Sequence, residues 1–127
     1  MAKNYKYSGA RIKIDSASAT IVSGIPCVQE GFFGIAMTDA ASGAPFTLAI
    51  EGVWNIAVPV GTAKGDILHV PGANGVLSED ADVTAELTET PSNANSPVVI
   101  AVTTRDSAGY ADVLILPRGA GRAATQV

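Results

Sequence analysis

From about residue 19 onward, apolar and polar residues alternate with a period of two. Phe46, Leu48 and Ile50 alternate with Thr47, Ala49 and Glu51, and after Gly52 the residues Trp54, Ile56 and Val58 alternate with Asn55 and Ala57. This spacing sends one set of side chains to a core and the other to solvent, as in a half-buried strand. Val83, Ala85 and Leu87 against Thr84, Glu86 and Thr88 predict a further strand. The stretches 98–103 and 110–116 are partly apolar at both parities, which predicts central strands covered on both faces. Residues 66–70 and 76–78 flank Pro71-Gly72-Ala73-Asn74-Gly75, whose Asn-Gly end supplies the positive φ angles of a hairpin turn.

Helical periodicity is almost absent. Thirteen glycines and seven prolines punctuate the chain, and no stretch longer than about ten residues keeps an i, i+3, i+4 apolar pattern. At most one short helix or turn fits, over 80–85 or 39–42. The expected fold class is therefore all-β, a small β-barrel or β-sandwich of short antiparallel strands. Outside 18–117 the pattern fades. Residues 1–17 read as an extended N-terminal arm with only a brief Ile12/Ile14 alternation, 118–127 read as a C-terminal tail, and 91–97 read as an exposed loop.

Charge changes this picture. Only 16% of residues are charged, against about 25% in a typical soluble domain. Twenty charged side chains on a monomer surface of roughly 6,300 Å² leave about one per 300 Å², a sparse coat that suggests the surface is shared with neighbours. The charges are also segregated. Residues 1–13 hold Lys3, Lys6, Arg11 and Lys13 and no acid, the tail holds Arg118 and Arg122, and all twelve acids lie between, so that 14–117 carry −10 within a net −4. An acidic body of this kind repels a phosphate backbone, so no nucleic-acid partner is expected. No apolar run reaches the ~18 residues of a membrane span, and the polar start is not a secretory signal; no membrane partner is expected, and synthesis and retention in the cytoplasm are.

Candidate chemistry is thin. Cys27 stands alone and reads as a small core residue, and His69, the only histidine, sits in a strand-like run with no partner nearby in sequence. Gly61-Thr62-Ala63-Lys64-Gly65-Asp66 lacks the Lys after its second Gly that a phosphate loop requires, and Asp66 would repel the ligand. Glu79, Asp80, Asp82, Glu86 and Glu89 crowd together without the spacing of a calcium loop and read as a solvated acidic face. No enzyme activity and no cofactor or metal is expected. Phe32 and Phe33 are adjacent, so in a strand they point to opposite faces; Trp54 reads as core. Tyr5 and Tyr7 beside Lys3 and Lys6 are rigid aromatics on a basic arm, suited to anchoring on a partner surface.

The order of several short motifs resembles a known family. Ser23-Gly24-Ile25-Pro26-Cys27-Val28, the run from Gly31-Phe32-Phe33-Gly34 to Thr38-Asp39-Ala40, Glu51-Gly52-Val53-Trp54, Ala63-Lys64-Gly65-Asp66-Ile67-Leu68 and Val113-Leu114-Ile115-Leu116 are similar to the DUF2190 family of small bacteriophage capsid proteins, over about residues 1–117. The resemblance implies a capsid decoration, or cement, protein: a compact β-barrel similar to the lambda-type head-stabilising proteins, sitting as homotrimers on the outer surface of an icosahedral head in the virion. Its implied partners are the major capsid protein and other copies of itself. On that expectation Lys3, Tyr5, Lys6, Tyr7, Arg11 and Lys13 are the candidate capsid contacts. A head ornament or fibre-base module binding host-surface glycans or another virion protein is the alternative expectation.

Overall fold

The computed structural model describes residues 10–72 and 76–117. It is all-β, with eight antiparallel strands and no helix among the described residues: β1 (Arg11–Ile14), β2 (Pro26–Gln29), β3 (Phe32–Ala36), β4 (Phe46–Ala49), β5 (Val53–Ala57), β6 (Ile67–Pro71), β7 (Asn95–Ala101) and β8 (Tyr110–Ile115). They form two four-stranded sheets, ordered β1-β4-β3-β2 and β5-β8-β7-β6. The bend at Glu51 and Gly52 passes the chain from one sheet to the other, and Gly52 takes a φ of 107° that other residues rarely adopt.

The first sheet is covered on both faces. Val28, Phe33 and Ile35 join Ile56, Leu68, Val99, Val113 and Ile115 of the second sheet in the larger core. On the opposite face Ile14, Cys27, Ala36, Phe46 and Leu48 form a smaller core, roofed by Ala17 and Ile21 from the connections. Hence β2 is buried at every position and β3 at all but Phe32. Phe32 and Phe33 point to opposite faces, as their adjacency requires. Gly34 lies where a β-carbon would run into the Ala49 carbonyl oxygen and come within 2.7 Å of Leu48 Cγ. The β2–β3 hairpin turns on Glu30 and Gly31, both at positive φ (52° and 86°), the geometry whose twist matches that of the flanking strands.

Several expectations change. The segment 83–88 is a turn: the Leu87 N–H donates to the Val83 carbonyl at 3.1 Å, which brings Val83 and Leu87 together in the larger core. An alternating sequence can satisfy one helical turn as well as a strand when only its i and i+4 members are apolar enough to bury. Residues 76–78 form no strand; β6 pairs with the distant β7 instead, while Leu77 drops into the core. Residues 73–75 lie outside the described part. The exposed loop shrinks to 91–94, because β7 already begins at Asn95. The strands β7 and β8 are central, as expected, but only their inner faces are fully covered.

Part of the segment 1–17 expected to be an arm belongs to the body. Residues 11–14 pair with β4 along their whole length, and Ile14 and Ala17 belong to the smaller core. Two isoleucines two residues apart suffice because β4 offers a ready edge and a core pocket. The earlier residues 1–9 and the tail 118–127 lie outside the described residues.

Replacing Leu68, which is completely buried, with Ala should cost about 2–5 kcal/mol of unfolding free energy in urea titrations. Val60→Ala, at an 83% exposed position, should stay within about 0.5 kcal/mol. Gly34→Ala should cost about 1–3 kcal/mol, since the obstructing carbonyl is backbone and cannot rotate away.

Candidate docking surfaces

The four sheet edges are finished in different ways. The connection between β6 and β7 closes two of them. Asp80 exchanges main-chain hydrogen bonds with Val28 on the outer side of β2 (2.8 and 3.0 Å), and Thr88 does the same with His69 on the outer side of β6 (2.7 and 3.0 Å). The third edge is β1. The Ala10 carbonyl accepts from the Ile50 N–H at 3.0 Å, so by the period of two the main-chain groups of Ile12 and Ile14 face β4, and those of Arg11 and Lys13 face outward. Both of those side chains are exposed. The fourth edge, β5, reads Val-Trp-Asn-Ile-Ala and carries no charge.

Of the six candidate contact residues, the structure therefore places Arg11 and Lys13 side by side on an outward-facing edge strand. Lys3, Tyr5, Lys6 and Tyr7 lie outside the described residues. What holds the end of β1 is the hairpin tip of β2 and β3. The Glu30 carboxylate accepts from the Asp15 and Ser16 N–H groups, both at 3.2 Å from Oε2, and its own N–H donates to Glu79 Oε1 at 3.2 Å. The fully buried Gln29 continues the seam, accepting from the Ser18 N–H at 2.8 Å and donating to Ser18 Oγ at 2.7 Å.

A second surface was not visible in the sequence pattern. Strand register aligns Val53 with Leu114, Leu114 with Ile100, and Ile100 with Ile67, so one apolar row crosses all four strands on the outer face of the second sheet. Val53, Leu114 and Ile67 remain 56%, 39% and 42% exposed, and Ile100 is half-buried. The next row is polar: Asn55 Nδ2 donates to Asp112 Oδ1 at 3.0 Å. Adjoining the row at Leu114, an open groove of about 420 Å³ is lined by Phe32, Glu51, Val98, Leu116 and Pro117 among others. Apolar residues at both parities of β7 and β8 were the available signal, and they point equally to burial within the chain and to an uncovered apolar face.

The remaining polar groups serve the fold. His69 is buried, with Nδ1 3.2 Å from the Thr88 carbonyl. Burial, then the charges of Asp82 and Asp80, push the Cys27 thiol up to about 12, so it stays protonated and unreactive. Trp54 is half-buried against the larger core, its Nε1 donating to the Glu51 carbonyl at 2.9 Å. The acidic residues in the connection cap turns, Asp80 accepting from the Asp82 N–H and Asp82 from the Thr84 N–H. The hydrogen bond between Asp66 and Glu89, then the Ala63 N–H, holds the Asp66 carboxyl below its usual range, and the same bond raises Glu89. Among the described residues no three His, Cys, Asp or Glu side chains are grouped to hold a metal ion, and no helix is long and apolar enough to cross a membrane.

The model of the phage cement protein family matches residues 7–116, nearly the whole described body. The chain belongs to the phage cement protein family. No curated protein and no solved structure matches it. Membership makes it a capsid-stabilising structural protein of a phage, located on the virion capsid.

One acidic residue carries a pH signature in this cement protein. Glu86 Oε2 is buried without a hydrogen-bond partner, and desolvation first, then the charge of Asp80, hold its carboxyl above the usual carboxylate range. The fold thus favours protonated Glu86. Its stabilising contribution is complete below the unfolded value and is lost as the pH rises through the folded one. Glu86→Gln, which cannot ionise and can donate to Asp80, should raise the melting temperature at pH 7 and leave it nearly unchanged at pH 4, as read by thermal denaturation at both pH values.

Proposed function

We propose that this cement protein binds as trimers on the outer surface of the icosahedral head, bridges copies of the major capsid protein, and opposes the outward pressure of packaged DNA. Any protein that binds only the closed lattice stabilises it by its binding free energy, which must be lost before subunits part. Trimers would present three copies of each contact, so individually weak contacts become strong once all engage together. A chain of this kind needs area and multivalency rather than a reaction centre.

The observation that carries the proposal is the family match over 7–116 joined to the basic edge at β1. Arg11 and Lys13 project from an edge strand whose outward main-chain groups are available to pair with an extended segment of the coat. Lys3, Tyr5, Lys6 and Tyr7 precede that strand directly and are assigned to the same contact: lysines against acidic coat residues, tyrosines as apolar anchors with a polar tip. The segregation of charge supports this division, since a body carrying −10 would repel an acidic coat surface everywhere but at its basic end.

The test uses purified protein and heads lacking it. Deleting residues 2–9 leaves β1 and its core contact at Ile14 in place, so the variant should fold and yet lose head binding by at least about tenfold in cosedimentation, a loss of about 1.4 kcal/mol. Arg11→Glu with Lys13→Glu should act in the same direction, and wild-type binding should weaken as salt rises from low to about 0.5 M. Unchanged binding of both variants would remove the basic end from the contact. Cryo-EM of decorated heads should show density on the outer surface at threefold or pseudo-threefold positions; density inside the shell would rule out the proposed placement.

A further inference from the structure

The apolar row on the second sheet has properties that the basic edge does not explain, and we infer that it is the face through which copies of this chain pack against one another. The row Val53, Leu114, Ile100 and Ile67 contains no ionisable side chain and spans the sheet from one edge to the other. It shares Leu114 with the groove bordered by Phe32, Leu116 and Pro117. Its polar border at Asn55 and Asp112 is internally hydrogen-bonded, so covering the row would not strip these two groups of their partner.

Electrostatics selects the occupant. Residues 14–117 carry −10, and two copies meeting through charged faces would repel each other. A row without ionised groups, with the one carboxylate at its border, Asp112, hydrogen-bonded to Asn55, is where that repulsion is weakest and desolvation least costly. The coat contact proposed above uses cations carried by the first sheet, whereas this row lies on the second, and complementarity of charge gives no reason for an acidic or basic partner to seek the row. Two sheet faces pack at about 10 Å with their side chains interdigitated, a geometry open to a surface of Val, Leu and Ile.

The neighbouring edge points the same way. Gly52 accepts from the Ile115 N–H, and the Val58 N–H donates to Gly109, both at 3.0 Å. By alternation the main-chain groups of Val53, Asn55 and Ala57 then face away from β8. Exposed edges are commonly protected by lysine, proline or a bulge, and β5 has none of these. The row is the apolar centre of a contact; reaching the roughly 800 Å² per partner of a stable interface requires Phe32, Leu116 and the β5 edge as well.

This assignment rests on the decoration reading in giving Arg11 and Lys13 to the coat and deepens its trimers by naming their contact face, while head binding and self-association are measured separately. Full-length protein is measured by size-exclusion chromatography with light scattering from about 1 to 100 µM. Wild type should associate over this range. Val53→Glu and Ile67→Glu, each at an exposed position, should weaken association at least about tenfold while thermal unfolding shows them folded. The milder Val53→Ser should weaken it in the same direction, and Val60→Glu, off the row, should behave as wild type. A wild type that stays monomeric throughout, or row variants that associate like wild type, overturns the inference. So does a monomeric wild type whose head binding is abolished by the row variants, because the face then belongs to the coat contact. Wild type that associates through the row but does not bind heads leaves this inference standing and removes the decoration reading.

Discussion

The structure depends on burying the first sheet on both of its faces. With aromatics at 6% of the chain, the core must be built from valine, isoleucine, leucine and alanine, each contributing roughly 1.5–3 kcal/mol or less when fully buried. One sandwich interface would use only half of each strand. Here β2 contributes Val28 to the larger core and Cys27 to the smaller one, so consecutive residues of the same strand are both buried. The connections carrying Ala17 and Ile21 roof the second face, and that requirement is why residues expected to form a free arm are drawn into the body. Gly34 shows the tightness of the arrangement, since even a methyl group would meet the neighbouring strand.

Edges follow from the same constraint. A body of two small sheets has four of them, and each unprotected edge invites pairing with another chain. The segment from Leu77 to Thr88 closes two by bridging to β2 and β6 while inserting Leu77, Val83 and Leu87 into the larger core. It also takes the Glu86 carboxyl out of water and sets Asp80 beside it, which together raise Glu86. The two edges that remain differ in chemistry, one basic and one uncharged. On the readings proposed above, two chemically distinct edges would separate contacts with the coat from contacts with sister copies.

Much of this was legible in the chain itself. Alternation at 46–50 and 54–58 gave β4 and β5, and the adjacent Phe32 and Phe33 divided between faces as a strand requires. Cys27 and His69 are both buried, as expected of a core cysteine and a strand histidine. The errors share a cause. Val83 and Leu87 are spaced to fit either a strand or one helical turn, and only the pocket between the sheets selects the turn. Ile12 and Ile14 are too few to announce a strand without β4 beside them.

By itself the sequence determined the all-β class, the acidic body with its basic start, and the absence of recognisable catalytic motifs, because these depend on residue type and local period. Tertiary structure decided which apolar positions are covered. In β7 and β8 both parities are apolar, but only the inner one meets the other sheet, which leaves Leu114 and Ile100 in a row with Val53 and Ile67. That row exists only through register between strands distant in the chain, and no local pattern encodes which residues face one another across a sheet.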